Sequence, residues 1–115
     1  VRVMVMTERL VRERPDLALR VMKCFVEATK RFLDDPALAE RYVREQLFKG
    51  QLSPQEYQDA MSNAALTYDL TVDHIQITTD FMVKYGVGKL QRPPRAADWV
   101  KLDLLRAAKA ELGIR

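Results

Sequence analysis

The sequence predicts a mainly α-helical fold, five or six helices behind one N-terminal β-strand, and three observations carry that prediction. Apolar residues recur at three- and four-residue spacings along most of the chain, the signature of amphipathic helices. Pro15, Pro36 and Pro54 each stand where a helix opens, a position at which the missing N–H costs nothing. Strict strand chemistry occurs once, in the Val1–Met6 stretch of "VRVMVMTERL". A single strand carries unpaired N–H and C=O groups along both edges and needs a partner.

The elements follow in order. Thr7 is the expected N-cap of a short first helix that stops by Arg14, because Pro15 disfavours helical geometry in the residue before it. Pro15 then opens a long helix, with Asp16 suited to its positive end. Ala18, Val21, Met22, Phe25, Ala28, Phe32 and Leu33 are its expected inner face, and Arg20, Lys23, Glu27, Lys30 and Arg31 its outer one. Asp35 caps and Pro36 opens the next helix, which carries Leu38, Tyr42 and Leu47 and ends before Gly50. Ser53 to Glu56 reads as a capping box with Pro54 at the first helical position. The helix it starts is expected to turn Tyr57, Met61, Ala64, Ala65 and Tyr68 inward.

Thr71 caps the following helix, with Ile75, Thr78, Met82 and Tyr85 expected inside and Gly86 as terminator. "GVGKLQRPPR" is an irregular connector, since Pro93 and Pro94 forbid regular helix. A last helix runs from about Asp98, offering Trp99, Leu102, Leu105, Ala108 and Leu112 for packing, and stops at Gly113. The organisation is then one domain or fragment: residues 1–7 as strand, 8–92 as helical region and 93–115 as C-terminal helix.

Composition narrows the function. The chain has 115 residues, 48% of them apolar and 30% charged, with 19 basic and 16 acidic side chains and a net charge of +3. The basic residues are spread along the chain instead of gathered on one arm or face, so nucleic acid is not an expected partner. No apolar run approaches the roughly 18 residues of a membrane span, and no signal-peptide pattern is visible. A chain that begins with Val1 is read as a fragment.

No catalytic constellation stands out, so the chain is not expected to be an enzyme, and no metal or other cofactor is expected. His74 has no second histidine to complete a zinc site and is read as a surface or capping-turn residue. Cys24 is the single cysteine and is read as a small buried hydrophobe. Asp34/Asp35 and Glu40/Glu45 lie at helical spacing from Lys or Arg, which favours solvated ion pairs over acid catalysts. "GVGK" from Gly86 follows a helix and is too short for a phosphate loop. Met4, Met6, Met22, Met61 and Met82 are read as core packing, as is Trp99, although Trp99 with Tyr85 and Leu90 is open to an aromatic ledge near the connector.

Four pieces in order resemble a known family. "VRVMVMTERLVRERPDLALRVMKCFVEATKRFLDDPALAERYV" is similar to a strand, a turn ending in Pro-Asp, a long Ala-containing helix and a "dP-e-e-A" opening. Here those positions are Val3–Thr7, Pro15 and Asp16, Ala28, and Pro36 with Ala39. "LTVDHIQITTDFMVKYGVGKL" and "DWVKLDLLRAAKAELG" resemble the family's later helices. The family is the nitrate/sulfonate/taurine-type, thiamine-precursor-like, periplasmic solute-binding proteins of ABC transporters. The resemblance implies the C-terminal part of a two-lobed α/β periplasmic-binding-protein fold, with Val1–Met6 as a hinge strand. It implies capture of a small anionic or heteroaromatic ligand by the full-length protein, delivery to an ABC permease, and a periplasmic or extracellular, lipid-anchored location. The family's pocket is built largely from earlier loops that this chain does not contain, so Thr7, near the interlobe cleft, is the one ligand-binding candidate. Precursor synthases of the same architecture need a histidine and a cysteine motif that cannot be placed here. The alternative of another class is a stand-alone helical interaction module, a possible homodimer paired through its N-terminal strand.

Overall fold

Helix starts are set by side chains that bind the orphan N–H groups of a first turn, and four such caps organise this chain. In the computed structural model, which describes residues 3–115, Thr7 Oγ1 accepts from the Leu10 N–H at 3.2 Å and starts α1 (Glu8–Glu13). α2 (Pro15–Asp34) follows after Arg14. Asp35 Oδ1 accepts from the Leu38 N–H at 3.0 Å to start α3 (Pro36–Tyr42), which runs on into a π-helical stretch, Val43–Leu47. Ser53 starts α4 (Pro54–Ser62) and Thr71 starts α5 (Val72–Lys84), accepting from the His74 N–H at 3.3 Å. α6 (Ala96–Trp99) and α7 (Asp103–Glu111) complete the chain.

The capping box is complete. The Ser53 N–H and Oγ both donate to Glu56 Oε2, at 2.9 and 2.7 Å, while the Glu56 N–H donates to Ser53 Oγ at 3.2 Å. Hydrogen bonds from the Ser53 backbone, then from its hydroxyl, hold the Glu56 carboxyl below its usual 4.5. A depressed folded-state pKa contributes stability above the unfolded value and loses it as pH falls through the folded one. NMR titration of the Glu56 side chain is therefore expected to give a midpoint below 4.5, with α4 amides fraying in step with it. In Ser53→Ala the midpoint moves only part of the way back, because the backbone N–H at position 53 still donates to the carboxylate, and α4 loses about 1 kcal/mol.

Two helix ends close as Schellman motifs, in which a left-handed residue turns the chain back on the last carbonyls. Gly86 (φ 69°) donates to Val83 O while Val87 donates to Met82 O, at 3.1 and 2.7 Å. Gly113 (φ 68°) and Ile114 repeat the device on Ala110 O and Lys109 O. Both glycines stand where the sequence placed a terminator.

The chain forms two compact units, one made of the residues through Lys23 with Asp69–Arg115, the other of Cys24–Tyr68. In the first, the buried residues are Ala18 on α2, Ile75 and Thr79 on α5, Ala96 on α6, and Leu105 and Ala108 on α7. Gln76 joins α5 to α6: its Oε1 accepts from the Ala96 N–H at 2.7 Å and its Nε2 donates to Pro94 O at 3.3 Å. Lys23 pairs with Glu111 at 2.7 Å, and Lys109 with Asp69 at 2.6 Å. In the second unit Val26 and Thr29 on α2, Ala39 on α3 and Tyr57 on α4 are buried. The Phe32 and Tyr42 rings pack there with centroids 5.6 Å apart.

The mainly α prediction holds, with seven α-helices among the described residues, but several expectations need correction. No strand forms among the described residues. Val3 and Val5 are exposed and Met4 and Met6 half-buried, so the period-two pattern survives without a ladder, there being no second strand to pair with. Val1 and Arg2, which the strand expectation also covered, lie outside the described residues. The inner face of α2 runs through Ala18, Met22, Val26 and Thr29, leaving Val21, Phe25, Ala28 and Leu33 exposed. On α5 the inner face is Ile75, Thr79 and Val83, with Met82 and Tyr85 outside. Both buried threonines satisfy their hydroxyls within their own helix, Thr29 Oγ1 on Phe25 O and Thr79 Oγ1 on Ile75 O, each at 2.8 Å.

α4 ends at Ser62, short of Tyr68. Ser62 Oγ and Asn63 Nδ2 both take the Asp59 carbonyl that a continuing helix would use. Ala64 and Ala65 are consequently exposed. The last helix is broken in two: Val100 is extended (φ −76°, ψ 119°), so Asp98 lies inside α6 instead of opening a long helix. Cys24 is exposed, not buried, because it lies to one side of the Val26 seam.

Candidate functional site

Thr7 is the residue the sequence offers for ligand contact, and the structure places it at the N-cap of α1. Its Oγ1 is occupied as an acceptor by the Leu10 N–H. It borders an open surface depression lined also by Arg9, Leu10, Glu13 and Arg14. The charges around that depression are paired with one another: Arg9 Nε lies 2.9 Å from Glu13 Oε2, and Arg14 Nε lies 3.9 Å from Asp16 Oδ1. With its cations matched by carboxylates, the depression offers an incoming anion little unspent positive charge.

The other singled-out residues do not converge on one another. His74 is exposed in the first turn of α5, where its N–H completes the Thr71 cap and its carbonyl accepts from Thr78 Oγ1 at 2.9 Å. The paired carboxylates separate into local roles. Asp34 takes a hydrogen-bonded ion pair from Lys30, which raises the lysine pKa above its usual 10.5, the hydrogen bond contributing more than the charge. Asp35 is spent on its cap. Among the described residues no group of three or more His, Cys, Asp or Glu side chains is placed to hold a metal ion. No helix of the described residues is long and apolar enough to cross a membrane.

Two arrangements were missed by reading the sequence. In the second unit Glu40 gathers polar partners, accepting from Arg44 Nη1 at 3.3 Å and Gln58 Nε2 at 3.1 Å, while Arg44 Nε donates to Leu52 O at 2.9 Å. The Glu40–Arg44 spacing was a legible signal; the Gln58 contact, eighteen residues away, was not. In the first unit, α5 and the Tyr85 that caps its C-terminus expose Ile77, Phe81 and Tyr85, with Lys84 Nζ 5.9 and 5.4 Å from the two ring centroids. Trp99, Leu90 and Val87 are also about half exposed, so Trp99 does not serve as the core anchor the sequence suggested. Met61 and Met82 are exposed and Met4, Met6 and Met22 half-buried, which corrects their reading as core residues.

Comparison with protein-family models, with curated proteins and with solved structures gave no match.

Proposed function

We propose that this chain is the helical C-terminal region of an ABC-transporter solute-binding protein of the nitrate/sulfonate/taurine type. The full-length protein captures a small anionic or heteroaromatic compound outside the cytoplasmic membrane and hands it to a permease. It acts by binding, through closure of two lobes whose contacts with the ligand are stronger in the closed state.

The observation that carries this reading is a surplus of exposed apolar surface on helices that are locally finished. The chain leaves 9256 Å² accessible to solvent. Two separate compact bodies with the masses of its two units would together expose about 7,700 Å². Among the described residues the buried hydrophobic ones are eight, four of them alanine, so the helices are capped and terminated while much of their apolar surface lacks cover. Such a region suits a protein whose remaining sequence supplies the missing cover and the ligand pocket. The resemblance of the four pieces, in order, gives that protein its class.

The test is the intact mass of the natural product, read by mass spectrometry of the protein from its own cell. A mass well above 13.3 kDa with a processed N-terminus is expected. A mass near 13.3 kDa would overturn the proposal in favour of the stand-alone interaction module. Calorimetry on the 115-residue chain is expected to show no micromolar binding of sulfonates, nitrate or pyrimidines, because the pocket lies in sequence this chain does not contain.

A further inference from the structure

We infer that the exposed face of α5 is a self-complementary docking surface for a second copy of this chain, with the two α5 helices antiparallel. Under the proposed function, the remaining sequence covers other faces and leaves this one to the second copy. Ile77, Phe81 and Tyr85 follow one another at four-residue spacing and are 50%, 51% and 70% exposed, a continuous apolar stripe along the helix. Single exposed apolar residues are ordinary on a protein surface, whereas a stripe of three on one helix marks an interaction face.

The charges beside the stripe select the occupant. Asp73 stands in the first turn of α5 and Lys84 in the last, both on the same flank of the stripe by helical geometry, and neither is ion-paired among the described residues. Lys84 instead lies over the Phe81 and Tyr85 rings. When two copies of α5 meet antiparallel about a two-fold axis near Thr79, Ile77 of each packs on Phe81 of the other. The same operation brings Asp73 of each level with Lys84 of the other, giving two opposite-charge contacts from one isologous surface. A parallel arrangement makes neither contact, since each of these residues is then level with its own counterpart on the opposite side of the seam. The antiparallel pairing has one opposed feature, since Asp80 approaches its own counterpart across the axis.

Sedimentation equilibrium of the full 115-residue chain tests this. A monomer–dimer equilibrium is expected with a dissociation constant on the order of 100 µM, in the range of small transient interfaces. Asp73→Lys and Lys84→Asp should each weaken it about tenfold by setting like charges together. An equimolar mixture of those two variants should form a heterodimer of at least wild-type strength, because both cross-pairs become Lys against Asp. Asp80→Asn should tighten association. The replaced side chains are all exposed, and circular dichroism checks that each variant keeps its helix content. A monomer up to about tenfold above that dissociation constant, or a mixture no stronger than its parents, overturns the assignment. So does a dimer indifferent to the charge exchanges but abolished by Val3→Pro with Val5→Pro, which would locate pairing at the N-terminal segment.

Discussion

Replacing Val26 with Asp is expected to unfold the second unit. Val26 has no exposed surface and is the largest side chain among the described residues to be fully buried. Aspartate there loses the transfer free energy of the valine side chain and brings a carboxylate into a site with no exposed surface. The combined cost is at least about 4 kcal/mol. A body the size of this unit is held by about 2–7 kcal/mol, so the substitution consumes most or all of its stability. The neighbouring Phe25 supplies the control. It is 39% exposed, and Phe25→Asp leaves its carboxylate in water, so a loss of about 1 kcal/mol or less is expected. Hydrogen exchange followed peptide by peptide across Cys24–Tyr68 separates the two outcomes without assuming a single cooperative transition. Equal protection in the two variants would mean that the Ala18–Met22–Val26–Thr29 seam is not the buried one.

The second large effect is expected from adding volume instead of charge. Ala108 on α7 has no exposed surface, as have Ala18 on α2 and Ala96 on α6. An alanine at zero exposure has neighbouring atoms against its methyl group on every side, and interiors packed at crystal-like density leave no room for an isobutyl group. Ala108→Leu should therefore cost about 2 kcal/mol through displaced neighbours, despite leucine's good helix propensity. Ala110→Leu, two residues on and exposed, should be nearly neutral by the same propensity argument. Chemical denaturation with a probe in α5 or α7 measures both. If Ala108→Leu were neutral or stabilising, the first unit would contain a void beside α7.

The local features of this fold were legible because they are made within one turn of chain. Thr7, Asp35, Ser53 and Thr71 each bind an N–H three residues ahead. Gly86 and Gly113 each adopt the left-handed conformation that ends a helix. Partners so close in sequence need nothing from the rest of the protein. Helix ends that depend on competing side chains were harder to read. The Asp59 carbonyl is claimed by Ser62 and Asn63, and that shortens α4 although the apolar residues beyond it continue the pattern. The candidate site was legible only as Thr7. The α5 stripe was hidden because Tyr85 and Met82 looked inward-facing, and exposure is decided by what else packs against the helix.

The sequence by itself determined that this protein is helical, where four of its helices begin and where two of them stop. Each of those features is a hydrogen bond or backbone conformation confined to a few consecutive residues. Only the tertiary structure decided which of two adjacent apolar seams on α2 and α5 turns inward. Phe25 and Val26 are both hydrophobic and stand about 100° apart on the helix, so periodicity alone cannot rank them, and the choice falls to whichever seam its neighbours can close upon. Tertiary structure likewise decided that Thr29 and Thr79 are buried, since a threonine counts as polar until its hydroxyl finds the carbonyl four residues back. It also decided that residues 3–6, strand-like in chemistry, stay without a ladder: β-pairing is a contact between distant segments, and the described residues contain no second strand to make it.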